Sequence, residues 1–66
     1  MWKQIEEVTN FALEKSRRVK EETEWHQFDA STDVCFTKNE VGQIEAEAYP
    51  VEDGETITTG TFIRLF

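Results

Sequence analysis

The 66-residue sequence predicts an α+β domain in which one N-terminal amphipathic helix packs on one face of a three- to four-stranded antiparallel β-meander. Three observations predict it. Apolar residues recur at helical spacing through the first third of the chain. Apolar and polar side chains alternate from residue 25 onward. The turn-forming glycines and the single Asp53-Gly54 pair fall between the alternating runs.

The helix comes first. At about 100° per residue, Ile5, Val8, Ala12, Ser16, Val19 and Thr23 fall on one stripe, flanked by Trp2, Thr9 and Leu13. Lys3, Glu7, Asn10, Glu14, Arg17 and Glu21 occupy the opposite face, where Lys3–Glu7, Glu14–Arg18, Arg17–Glu21 and Arg18–Glu22 are spaced to support each other. This predicts a helix over residues 2–22. Phe11 falls off the stripe and is expected at the surface. Glu21, Glu22 and Glu24 oppose the dipole at a helix C-terminus and no glycine caps it, so the end is placed near Glu22, with Arg17, Arg18 and Lys20 close to it.

The strands follow at 25–29, 33–39, 43–51 and 55–66. Asp53-Gly54 is the strongest hairpin signal in the chain. A two-residue loop there sets Glu52 opposite Glu55 and Ile44 opposite Ile63, and a four-residue loop over 52–55 keeps that register. Ile44, Ala46, Ala48, Ile57, Thr59, Thr61 and Ile63 then share one face. For Val34 and Phe36 to join Ala46 and Ala48 on that face, the preceding loop must be odd. Glu40-Val41-Gly42 supplies three residues with glycine at the left-handed position, so Phe36 faces Ala46 and Val34 faces Ala48. The middle of this inner face is small, which lets the helix approach through Ala12 and Ser16. Larger residues, Phe36, Ile44, Ile57, Ile63 and Leu65, surround it.

The whole chain, 1–66, reads as a single domain without linker, repeat or low-complexity segment. A domain this small buries only about 60% of its unfolded surface. Cys35 is the sole cysteine, so no disulfide helps; the pattern fits a reducing compartment, and oligomerisation is a common remedy. No run approaches the ~20 apolar residues of a membrane span, and the N-terminal stretch with Glu6 and Glu7 does not resemble a signal peptide. The expected location is cytoplasmic.

Charge is uneven. Residues 1–20 carry five basic and three acidic side chains, a net of +2. Residues 21–66 carry two basic and eleven acidic ones, a net of −9. Such a surface repels a phosphate backbone, which argues against direct nucleic-acid binding and for a basic protein partner. The plainer role for these acids is solubility.

Residue sets for chemistry are sparse. There is no phosphate loop, no Ser-His-Asp arrangement with supporting context and no Cys-x-x-Cys; His26 and Cys35 are the only soft ligands, fewer than the four of a structural zinc site. No catalytic residue, metal site or cofactor is expected. A Cys35–His26 nucleophile pair is disfavoured. Cys35 is expected on the outer face opposite Glu47, which raises its pKa, and His26 on the inner face with Phe28. Glu45 and Glu47 lie two apart on one strand without a cleft to set their pKa values apart. Asp29, Asp33 and Glu52-Asp53-Gly54-Glu55 lack EF-hand spacing and read as turn residues.

The outer sheet face is the expected contact surface. It carries Cys35, Thr37, Glu45, Glu47, Tyr49, Thr58, Phe62, Arg64 and Phe66, with Trp25 beside Thr37. The expected partner-binding residues are Trp25, Glu45, Glu47, Tyr49, Phe62, Arg64 and Phe66, because aromatics mixed with carboxylates are unusual on a solvated face and common at interfaces. Residues 56–66 also predict a long, weakly protected edge strand, inviting a homodimer through that edge or the outer face. The leading functional expectation is a small acidic non-enzymatic protein-binding module. Its sharpest form is an inhibitor of a nucleic-acid-handling protein, with Glu45, Glu47, Asp53, Glu55 and the acids after the helix imitating phosphates, by analogy with small acidic inhibitors of phages and mobile elements. The alternative is a structural homo-oligomer or a small subunit of a larger assembly. A small-molecule binder or enzyme, with a site formed between subunits, is the third class.

Overall fold

The computed structural model describes residues 2–60 and 62–66, the side chains of residues 2 and 3 excepted. One helix, α1 (Trp2–Ser16), precedes strands β1 (Thr23–Asp29), β2 (Thr32–Lys38), β3 (Ile44–Glu52), β4 (Glu55–Thr56) and β5 (Ile63–Arg64). The sheet is an antiparallel meander, β1-β2-β3-β4, with β5 also pairing β3. The α+β class and the meander are therefore those the alternation predicts.

The central hairpin forms in the expected register. Phe36 pairs with Ala46, Val34 with Ala48 and Cys35 with Glu47. Its loop is closed by the Asn39 amide donating to the Gln43 carbonyl at 2.9 Å, and Gly42 adopts φ 85°. The Asn39 carboxamide oxygen accepts from the backbone N–H of both Val41 and Gln43, so the loop's polar groups are satisfied locally.

The helix is shorter than its stripe suggests, ending at Ser16 rather than near Glu22. The Ser16 hydroxyl donates back to the Leu13 carbonyl, and Arg18 and Val19 donate to Lys15 and Ser16 in tight turns. Glu24 accounts for the reversal. Its carboxylate accepts backbone N–H bonds from Lys20 at 2.6 Å and Glu21 at 2.7 Å, turning the chain into β1. Val19 reaches the core from this connection, and Thr23 lies exposed at the start of β1 opposite Thr37. The Arg17–Glu21 and Arg18–Glu22 pairs lose their helical spacing. The buried stripe is also rotated. Phe11 is half-buried and meets Phe28 edge-on at 5.3 Å, whereas Leu13 is 49% exposed. The core joins Val8 and Ala12 of α1 to Val19, Val34, Phe36, Ala46 and Ala48.

The last strand departs most from expectation. Asp53 (φ 52°) and Gly54 (φ 77°) form the two-residue turn, and Glu52 faces Glu55 as predicted. The ladder then breaks. The Ile57 amide donates to the Pro50 carbonyl at 2.8 Å, but Pro50 has no N–H to return the bond. The chain leaves the sheet over residues 57–62 and rejoins as β5 with Ala48 opposite Ile63 and Glu47 opposite Arg64, four residues out of the register the turn sets. Ile44 therefore faces Lys38 alone in the ladder, and Thr58 and Thr59 are exposed in the excursion. Residue 61 lies outside the described residues. An even shift preserves facing, so Ile63 stays on the side of Ala48. The long edge expected over 56–66 is thus two pieces of two residues each. Among the described strands, β1 is the long one with a single neighbour.

Candidate protein-interaction surface

Strand alternation places three rows across the face opposite α1. Thr23, Thr37 and Glu45 form one. Trp25, Cys35, Glu47 and Arg64 form the next. Gln27, Asp33 and Tyr49 form the third. Trp25 thus stands opposite Cys35, two residues along β2 from Thr37, because the β1–β2 hairpin sets Thr23, and not Trp25, opposite Thr37.

The aromatic side chains of this face touch one another. The Trp25 and Tyr49 rings lie 5.3 Å apart at 53°, a diagonal contact across β2. Tyr49 and Phe62 stack at 5.5 Å and 23°. Phe62 is delivered by the end of the excursion, directly before β5. Trp25 and Phe62 are each 47% exposed, with Tyr49 half-buried between them. Each such pair contributes about 0.5–1.5 kcal/mol beyond area burial, so the row is held in place before any partner arrives.

The carboxylates of the face differ in their surroundings. Arg64 stands opposite Glu47 in the ladder but donates instead to Glu45, Nη2 to Oε1 at 2.6 Å. Both side chains of that pair are more than half exposed, so it stabilises the fold by about 0–1 kcal/mol at most. Glu47 is half-buried and, among the described residues, accepts only the Tyr49 hydroxyl, at 3.4 Å. Its charge is felt by its neighbours. Burial first, then the Glu47 carboxylate, pushes the Tyr49 hydroxyl above its ordinary value. Burial likewise raises the Cys35 thiol, with Glu47 adding to it against a hydrogen bond to Thr37. Cys35 is buried beneath these outer-face neighbours.

Phe66 does not join the row. Leu65 and Phe66 both donate to the Ala46 carbonyl, at 2.8 and 3.4 Å, and Ala46 donates to the Phe66 carbonyl at 2.8 Å. Two residues opposing one is a bulge, which upsets alternation, and Leu65 and Phe66 both pack against the core. The site set is therefore brought together at Trp25, Glu45, Glu47, Tyr49, Phe62 and Arg64, with Phe66 drawn inward.

Other polar residues serve the fold. His26 lies on the inner face, its ring edge-on to Phe36 at 5.3 Å and its Nε2 3.1 Å from Glu24 Oε1, so it does not meet Cys35. Asp29 accepts from the Ser31 amide at 2.9 Å, a bond that lowers its pKa. Asp33 accepts the Thr56 hydroxyl at 2.6 Å, tying β4 to β2. Beside the aromatic row, a cleft of about 320 Å³ opens between α1 and β3, walled by Ile5, Val8, Ala48, Tyr49, Phe62 and Ile63. Its outer wall was not foreseeable from alternation, because the excursion builds it.

No helix among the described residues is long and apolar enough to cross a membrane. No known family, curated protein or solved structure matches this chain.

Proposed function

We propose that this chain is a small acidic protein-binding module, and that the sheet face opposite α1 is the surface that meets a basic partner. The observation that carries this reading is the contiguous row Trp25–Tyr49–Phe62, pre-packed and half open to solvent, with Glu45 and Glu47 beside it. Rigid aromatic groups offer large contact area at little entropic cost, and such residues dominate binding energy at interfaces. The net charge of −9 over residues 21–66 supplies the attraction to a basic surface.

The phosphate-mimicking version has weaker support than the aromatic one. Glu45 is already paired with Arg64, and Glu24 holds the turn after the helix. Affinity capture from the cells that make the protein separates the two. A partner lost on the double change Trp25→Ala and Phe62→Glu identifies an aromatic contact, and its loss on Glu45→Lys with Glu47→Lys as well shows that the carboxylates share in that contact. A partner kept on the aromatic change but lost on Glu45→Lys with Glu47→Lys, and released by salt, identifies carboxylate mimicry and an inhibitor of a nucleic-acid-handling protein. Retention by both variants rejects this face altogether.

Self-association is the second reading, favoured by the seven-residue β1, which among the described strands has β2 as its one neighbour. A monomer in sedimentation at ~100 μM removes it.

A further inference from the structure

The outer face sets an open indole in one row with a carboxylate that has no cation partner among the described residues. Trp25, Cys35 and Glu47 lie in one row on three neighbouring strands. Cys35, which stands between the other two in that row, is small and buried. Arg64 is the cation the ladder sets opposite Glu47, yet it is turned to Glu45. Glu47 keeps one long bond from the Tyr49 hydroxyl, to Oε1, and its Oε2 has no protein partner among the described residues.

We propose that this row receives an arginine side chain of the partner, its guanidinium stacked on Trp25 and paired with the Glu47 carboxylate. The proposal rests on the reading of the outer face as a protein-binding surface and deepens it by naming the group recognised. A guanidinium is planar and weakly hydrated, so it covers an indole face while its N–H groups, fixed in the same plane, point outward to a carboxylate. An ammonium is drawn to a ring face as well, but it is a compact, strongly hydrated point charge, so it cannot lie flat on the indole with its donors fixed in that plane toward the carboxylate. Tyr49 supports the arrangement from both sides. Its ring contacts Trp25 and its hydroxyl lies 3.4 Å from the Glu47 carboxylate, so one side chain touches both binding elements before the ligand arrives.

The test is an NMR titration of the full chain with two blocked peptides, Gly-Arg-Gly-Arg-Gly and Gly-Lys-Gly-Lys-Gly. The arginine peptide is expected to shift the Trp25 indole N–H and the amides of Cys35 and Glu47, and to bind several-fold more tightly than the lysine peptide. Glu47→Gln, whose amide spectrum reports its fold, should weaken the arginine peptide about tenfold, the scale of a lost hydrogen bond to a charged group. Glu7→Gln, on the outer face of α1, should leave it unchanged. Equal binding of the two peptides, or full binding by Glu47→Gln, overturns the proposal. So do shifts confined to the turn at 52–55. A captured partner that is lost on Trp25→Ala with Phe62→Glu but is indifferent to Glu47→Gln overturns the arginine while leaving the surface standing.

Discussion

Replacing Phe36 by alanine should remove most of the stability of this domain. Phe36 is 0% exposed, lies at the centre of the inner face opposite Ala46, and supports the His26 ring edge-on. The facing Ala46 is too small to refill the space, and the substitution should cost about 3–5 kcal/mol. At about 0.05–0.15 kcal/mol per residue, a chain of this length has roughly 3–10 kcal/mol in total. Trp25→Ala, on the other face, is the matched control. The ring is 47% exposed and its main partner is Tyr49, so its loss should cost about 1–2 kcal/mol. Thermal unfolding followed by circular dichroism separates the two. At about 4–8 °C per kcal/mol, Phe36→Ala should lower Tm by about 12–40 °C or leave no transition, and Trp25→Ala by about 4–16 °C, the smaller shift of the two at any one conversion. A Trp25→Ala variant as damaged as Phe36→Ala would show that the outer face is a structural core and refute its assignment as a surface for partners.

Three further outcomes follow from local geometry. The Glu24 carboxyl is lowered from 4.5 to about 2, chiefly by the Glu21 and Lys20 amides and then by His26. A depressed folded-state value means that its stabilisation is complete above 4.5 and is lost as pH falls toward 2. Glu24→Gln should therefore lower Tm at neutral pH and flatten its decline across that window, whereas parallel acid profiles would exclude the role given to the cap. Cys35 is buried with a raised pKa, so a thiol reagent at pH 8 should label it slowly in the native chain and rapidly in urea; equal rates would place it at the surface. Gly54 has φ 77° with open space around a built Cβ, so Gly54→Ala should cost only the left-handed conformation, about 1 kcal/mol or 4–8 °C in Tm, and an unchanged Tm would contradict the turn.

The features that could be read from sequence are those set by period and parity. Val34, Phe36, Ala46 and Ala48 have one arrangement that buries all four, and the three-residue loop ending in Gly42 is the geometry that allows it. What escaped the pattern depended on single hydrogen bonds. The helix stripe runs on through Val19, but the side chain of Glu24 stops the helix by accepting two amides beyond it. Val19 stays buried from outside the helix, so burial there could not mark helical structure. Pro50 was the available sign that the last hairpin could not continue, since the missing N–H falls where the ladder requires one. Its consequence, the excursion that carries Phe62 onto Tyr49, is tertiary and has no periodic trace. Phe11 and Leu13 exchanged roles because a stripe of four turns leaves about one residue of freedom in which side faces the sheet.

Site-specific photo-crosslinking in the producing cells puts the contact surface to its most direct trial. A benzophenone side chain introduced at Trp25 or Phe62 should link to one discrete partner protein, and the same group at Val41, 78% exposed on the distant loop, should not. A product formed from Val41, with none from Trp25 or Phe62, would move the interface off the sheet and contradict the function proposed for it.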